Sequence, residues 1–389
     1  MEYGYDDDQR VLIETVSKFA EERIKPNINE WDEKEHFPVD LFREMGELGL
    51  LGVLVEEEYG GSGYRYKDYV AILEEVSRVC GGVGLGIAAH NSLCTGHIHQ
   101  CANEEQKKKY LPQLASGEAL GAWGLTEPGS GSDSGGLSTI AKKVDGGYIL
   151  NGTKNFITHA ISGDIAVVLA ATDISKKTRG ISAFILDQDM KGWSGGKKET
   201  KVGMRCSETA QLVMEDCFVP DANLIGNENE GFKQAMKVLD GGRISIAALS
   251  LGIARGAMEC ALVYASQRVQ FNKTIDEFQG VQFKLADMGT DLEAARMLTL
   301  KAAYMKDRGT TSTLASAEAK YFASEVAVRN SENAVQVLGG YGYLRDYPAE
   351  KFWRDSKLCT IGEGTSEVQK IVIARQMKST ILPDLLKHS

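Results

Sequence analysis

At 389 residues, 43% hydrophobic and 25% charged, the chain is long enough for one large subunit whose two or three substructures share cores. A net charge of −10, with acids spread along the chain, argues against nucleic acid or an anionic membrane as main partner, so an anionic ligand needs a local basic site. The acidic start (residues 1–10) has no basic region before an apolar run, and the stretch 83–89 is short and broken by glycines. Neither reads as a targeting signal or a bilayer span, and the chain reads as a soluble protein.

From Asp7 to Arg78 apolar residues recur at helical spacing (Val11, Thr15, Phe19; Leu41, Met45, Leu48), punctuated by Pro26, Pro38 and the Gly60-Gly61 turn. A further helix is expected over 104–114, with Lys107, Lys108 and Lys109 as a solvated face. Near Ala122 the texture changes. Glycine and serine cluster over 129–136, then short apolar runs follow at 148–150, 165–171, 181–186 and 210–214, with turns expected at 145–147, 151–152, 195–196 and Pro220. Strands do not alternate with helices, which argues for a small antiparallel sandwich or barrel and against a doubly wound sheet. After Gly231 long helices are expected over 232–239, 244–268, 279–307 and 314–338. Helices of that length hide their apolar stripes side by side, as in a four-helix bundle, and leftover stripes favour subunit association.

Three segments can carry chemistry. The loop 123–133 (WGLTEPGSGSD) exposes backbone donors to an anion or a ring edge, although an interdomain linker reads the same way, and it lacks P-loop, GxGxxG and G-x-S-x-G spacing. Glu363 stands between two glycines, so a ligand can approach it closely. In an apolar cavity its pKa rises towards that of a useful base, whereas at the start of an expected helix over 366–378 it is a capping acid. Residues 336–342 (QVLGGYG) form either a helix C-cap or a glycine-rich ligand turn. His90, His97 and His99 with Cys94 and Cys101 lack metal-site spacing, so no metal is expected. The cysteines, at 80, 94, 101, 206, 217, 260 and 359, form no CxxC pair and fit reduced thiols.

Taken in order, TEPGSGSD (126–133), LNGTKNFIT (150–158), RVQF (268–271), Gln279, QVLGG (336–340), RD (354–355) and EGT (363–365) resemble the acyl-CoA dehydrogenase family, short-chain members above all, over essentially the whole chain. The resemblance implies a mainly α protein with a central β domain: an N-terminal helical domain (1–121), a middle β domain (122–230) and a C-terminal four-helix bundle (231–389). It implies FAD, an acyl-CoA thioester substrate, electron-transferring flavoprotein as acceptor and a homotetramer. The expected location is the bacterial cytoplasm, or the mitochondrial matrix for a processed chain.

By motif position, Trp123, Leu125, Thr126, Gly131, Ser132, Phe156, Ile157 and Thr158 are implied around the isoalloxazine, with Thr365 and Glu367 near the adenosine half. Arg268, Phe271, Gln279, Gln336, Val337, Gly339 and Gly340 are implied at pyrophosphate and adenine, in part on the partner subunit's FAD. Ser132, Phe232, Asp240, Arg243 and Gly364 match the substrate channel, and Arg243 also suits an ion pair with Asp240. Glu363 matches the base, its backbone N–H holding the thioester carbonyl as it takes the α-proton. The sequence departs from relatives in three places. Glycines stand at 241 and 242, where some carry their base; Gly362 replaces a common tyrosine, leaving room for a branched or cyclic acyl group; and Phe156 replaces a tryptophan. An oxidase or reductase of the same family, a dehydrogenase for cyclic or dicarboxylic substrates, and a non-catalytic flavin-binding protein are the alternatives.

Overall fold

The computed structural model describes residues 6–380 and 382; the first five residues of the acidic start and the end of the last block lie outside the described residues. The chain opens with α1 (Asp7–Phe19), α2 (Ile28–Lys34), α3 (Val39–Glu47), α4 (Tyr66–Val79), α5 (Gly81–Ala88), α6 (Gly96–Cys101) and α7 (Glu104–Ser116). Reciprocal caps start α1 and α7: the Asp6 and Asn103 side chains accept from the N–H groups of Gln9 and Gln106, and their own N–H groups donate back to Oε1 of Gln9 and Gln106. The glycine-broken run 83–89 is helical: α5 is wholly buried, and a π-helical stretch, Ala89–Thr95, continues from its end. A Cβ on Gly84 would collide with Ser77 Oγ, and one on Gly86 with the Phe42 ring. These glycines weaken the helix signal in sequence while permitting close approach in the fold.

The middle of the chain supplies β1 (Gly121–Gly124), β2 (Ile140–Val144), β3 (Gly147–Thr158), β4 (Ile165–Ala171), β5 (Ile181–Asp187), β6 (Trp193–Lys198), β7 (Thr209–Pro220) and β8 (Leu224–Ile225). Their order is β6-β7-β3-β2-β4-β5-β8, mostly antiparallel, with β1 added parallel to β4. β4 and β5 read as unbroken apolar runs because they are buried on both faces. Ile165, Val167, Leu169, Ala183 and Ile185 meet a cluster containing α7 residues, and Ala166, Val168, Ala170, Phe184 and Leu186 pack among the sheet's own strands. Two expected turns prove to be strand. Asn151-Gly152 is an irregularity inside β3, where Gly152 (φ 151°) passes against Thr139, and Gly195-Gly196 lies inside β6, where Gly195 passes against Ala160 and Ile161. In both places glycine marks a close crossing rather than a reversal.

The C-terminal block contains α8 (Gly231–Gln267), the short hairpin β9 (Val269–Gln270) and β10 (Lys273–Thr274), then α9 (Gln279–Asp307), α10 (Thr313–Leu338), α11 (Ala349–Cys359) and α12 (Ser366–Thr380). The break expected near residues 240–243 is absent: α8 runs through both glycines. α8 is also long and apolar enough to cross a membrane, but 67% of that window is buried inside the protein, as suits a central bundle helix. One core, from Val16 to Cys359, joins α4 to α8, α9 and α10, so the two helical blocks pack as a unit.

Candidate active site

Glu363 sits in the turn between α11 and α12, with φ of 52°, followed by Gly364 at 93°. A left-handed non-glycine residue costs on the order of 1 kcal/mol, so the surroundings must hold this turn. Gln369 Nε2 donates to the Glu363 and Gly364 carbonyls (3.1 Å each), and the buried Lys320 Nζ donates to Gly364 O (2.7 Å). The capping reading of Glu363 fails, because the N–H of Val368 donates to Thr365 Oγ1 (3.3 Å). The carboxyl points instead to α8, where a Cβ on Gly242 would collide with its Oε2. Gly242 is thus the notch that admits the acid.

Glu363 is half-buried, yet its Oε2 is enclosed and has no hydrogen-bond partner. Burial pushes the carboxyl up to about 7, against the opposing pull of Lys320 and Arg243. Among the described residues no protein acceptor engages the Glu363 N–H. Arg243 makes the alternative ion pair, Nη1 to Asp240 Oδ1 at 2.6 Å, while Asp240 Oδ2 accepts from Thr313 (2.7 Å). Its Nε is buried without a partner, so that pair leaves a donor to spare. Tyr66 approaches from α4: a Cβ on Gly241 would lie 2.6 Å from its hydroxyl. Phe232, half-buried at the start of α8, packs with the sheet-side cluster.

A second group forms where β1 leaves the sheet. Trp123 is buried, its indole N–H donating to His97 Nδ1 (3.0 Å); His97 in turn bonds Gln234 Oε1 (3.1 Å) on α8. Burial pushes His97 down to about 4, so the ring is neutral at pH 7. Leu125 is buried, and Asn155 N–H donates to Thr126 O (2.8 Å). At that join β3 loses register with β7, and Phe156, at φ 58°, turns outward with 63% of its surface exposed, between Lys154 and the buried Ile157; Thr158 is half-buried. Gly131 and Ser132 are exposed, with nothing beside the Gly131 Cβ position. The loop is anchored by Glu127, which accepts from Ser138 N–H and Oγ, from Thr139 N–H (3.0 Å) and from the fully buried Lys154 (2.7 Å). Burial pushes the Glu127 carboxyl up, but Lys154 and the other donors outweigh it and pull it down to about 2.

Comparison with known proteins identifies the family. Models of the acyl-CoA dehydrogenase N-terminal, middle and C-terminal domains match residues 6–118, 122–217 and 229–378. The chain belongs to the acyl-CoA dehydrogenase family. It is 47% identical over 374 residues to the short-chain specific acyl-CoA dehydrogenase of Clostridium acetobutylicum, covering 96% of this chain and 99% of that protein. Butyryl-CoA dehydrogenase from Megasphaera elsdenii superposes with TM-score 0.95 at 44% identity, covering 97% and 100% of the two chains. A chain solved in work on the electron transferring flavoprotein of Acidaminococcus fermentans gives TM-score 0.96 at 45% identity, with 97% and 99% coverage. This acyl-CoA dehydrogenase is a FAD-dependent oxidoreductase.

The dehydrogenase has surfaces that fit FAD: the open glycines and outward Phe156 just described, and a cleft of about 600 Å³ at the far end of the bundle. Arg268, Val337, Gly339 and Gly340 line that cleft together with Tyr264 and Tyr341, and the Arg268 guanidinium lies 5.5 Å from the Tyr341 ring centre. Phe271, 87% exposed, tips the β9–β10 hairpin; Gln279, Gln336 and Glu367 are exposed, and Thr365 half-buried. The substrate and far-cleft sets do not come together within the chain. From Arg243 to Gln267 α8 rises roughly 36 Å at 1.5 Å per residue. Sequence reasoning missed the Glu127–Lys154 anchor, His97, Gln369 and Lys320. The signal for Lys320 was a lysine on a stripe of small residues, Ser316, Ala323 and Ala327, at helical spacing.

Proposed function

We propose that this acyl-CoA dehydrogenase removes the α-proton of a short, branched or cyclic acyl-CoA with Glu363. The observation that carries the assignment is the enclosed, unpartnered Glu363 Oε2, whose pKa of about 7 lets it be a carboxylate when substrate arrives and still hold a proton afterwards. The free Glu363 N–H serves as donor to the thioester carbonyl, where negative charge grows as the proton leaves. The chemistry FAD supplies when bound is acceptance of the β-hydrogen as hydride, which makes the product a 2-enoyl-CoA. Ser132, Phe232, Asp240, Arg243 and Gly364 line the substrate path, with the spare Arg243 Nε as a polar contact.

Trp123, Leu125, Thr126, Gly131, Ser132, Phe156, Ile157 and Thr158 hold the flavin ring region, and Thr365 and Glu367 stand towards the adenosine half. Arg268, Phe271, Gln279, Gln336, Val337, Gly339 and Gly340 form the distant station, whose separation along α8 favours service to a neighbouring subunit's cofactor. Exposed Val263, Phe283 and Ile371 on the bundle favour subunit association, which the homotetramer reading requires. Electrons pass to an electron-transferring flavoprotein, a reading supported by the Acidaminococcus fermentans match.

For the acyl group, Gly362 is the discriminating position. The nearest atoms to a Cβ there belong to Leu358, none closer than 3.6 Å, so the glycine leaves room a larger side chain would take. The test is anaerobic bleaching of the oxidised flavin by butyryl-, isobutyryl-, isovaleryl-, glutaryl- and cyclohexanecarboxyl-CoA. Fast bleaching by a branched or cyclic thioester supports the whole reading. Bleaching by butyryl-CoA alone removes the Gly362 argument, and no bleaching of bound FAD by any of them removes the substrate assignment.

A further inference from the structure

We infer that Lys320 is a positioning residue for the base: from α10 it holds the Gly364 carbonyl and so fixes the left-handed turn that aims Glu363 into the Gly242 notch. The inference rests on the reading of Glu363 as base. Three observations carry it. Lys320 is fully buried, and its hydrogen bond of 2.7 Å goes to Gly364 O, across 44 residues of sequence; among the described residues it forms no salt bridge with a carboxylate. The turn it grips has two successive positive φ angles, one at a non-glycine residue. The other donor to these carbonyls, Gln369, is neutral and belongs to α12, the helix that follows the turn, whereas Lys320 brings a positive charge to them from α10. A lysine is an expensive choice for this anchor, since burying an ammonium costs far more than burying an amide. What the ammonium adds is a positive field at the base.

The groups around the pair are defined. Lys320 is influenced by Cys359 on α11, Glu363 in the turn, Arg243 on α8 and Glu325 on its own helix. Glu325 is occupied by Ser366 Oγ (2.6 Å). Glu363 feels Lys320, Arg243 and, from α4, the Tyr69 phenol. Burial pulls Lys320 down to about 8, so it is still mostly protonated at pH 7. A protonated Lys320 favours the carboxylate form of Glu363, and its removal therefore moves the Glu363 ionisation to higher pH.

The experiment compares kcat, the pH profile of kcat/KM and FAD content in wild type, Lys320→Met, Lys320→Arg and Glu363→Gln, with the acyl-CoA that bleaches the wild-type flavin. Lys320→Met is expected to retain FAD, lose roughly 10- to 100-fold in kcat through the misplaced base, and shift the acidic limb of kcat/KM up by about one unit. Lys320→Arg is expected to restore most of both, and to abolish any loss of activity above pH 8 that comes from lysine deprotonation. A Lys320→Met enzyme that binds FAD with unchanged kcat and acidic limb overturns the inference. Equally damaging is a uniform drop at every pH with the limb in place, because that describes packing alone. Should Lys320→Met fail to fold, Lys320→Arg decides: an unmoved basic limb near pH 8 counts against the inference and its loss supports it. Glu363→Gln keeps the two readings apart. If it turns over normally, the base assignment falls; if it is dead while Lys320→Met matches wild type, only the positioning role falls.

Discussion

Two buried glutamates in this enzyme have opposite fates. Glu127 and Glu363 both leave water, and burial raises the pKa of each. Glu127 then meets Lys154, Ser138 and Thr139, and is held as a carboxylate at about 2. Glu363 has the charges of Lys320 and Arg243 nearby but no donor on Oε2, and stays near 7. The difference lies in compensation: the Lys154 charge and the surrounding donors offset burial at Glu127, whereas burial prevails at Glu363, which has no donor on Oε2. A satisfied acid has no capacity left for a proton at neutral pH and serves as an anchor; an unsatisfied one is poised to exchange a proton and serves as a base. Their settings match: Glu127 bridges a loop to strand β3, where movement is unwanted, and Glu363 occupies a turn between glycines, where a ligand can arrive.

The largest effect that tests this contrast is chemical. Glu363→Gln keeps the shape and removes the base, so kcat is expected to fall by on the order of 10³-fold while the flavin spectrum persists; a loss of only a few-fold would erase the distinction between the two acids. The anchor side is expected to show in stability. Glu127→Ala leaves the Lys154 ammonium buried with only Leu125 O at 3.3 Å, and about 3 kcal/mol should be lost in denaturant unfolding. Adding Lys154→Met should recover part of that, since no unpaired charge remains; a double variant less stable than the single one contradicts the anchor account.

A smaller change probes the notch. Gly242→Ala places a methyl where Glu363 Oε2 lies, so kcat is expected to drop on the order of 10²-fold, with little change in thermal midpoint. Normal turnover in that variant would mean that the acid works from another orientation. Smallest is Gly362→Tyr, expected to cost kcat/KM for branched or cyclic thioesters roughly tenfold relative to butyryl-CoA; an equal effect on all substrates would remove Gly362 from specificity.

The order of blocks was legible because it rests on periodicity: helices, then short apolar runs, then long helices. What misled were glycines. At 84, 86, 152, 195, 241 and 242 they read as breaks or turns, whereas each lies inside a helix or strand where another chain segment presses close, a reason that only the third dimension contains. The site divided in the same way. Glu363 stood out through its flanking glycines and the motif that carries it, and its competing capping role was removed only by the Thr365–Val368 bond. Lys154 and Glu127 lay inside quoted motifs, but nothing in their spacing announces a mutual contact 27 residues apart. Lys320 was hidden more deeply, since its partner is a backbone carbonyl that no side-chain pattern records.

The most direct test of the central claim is the rate of anaerobic flavin reduction at subsaturating acyl-CoA between pH 5.5 and 9. The account predicts a rate that climbs through an ionisation near pH 7, carboxylate being the active form, before any fall above pH 8 from Lys320 deprotonation, and that disappears in Glu363→Gln. A flat profile across that range, which an ordinary glutamate ionising near pH 4.5 would give, would show that Glu363 is not the unsatisfied buried base described here.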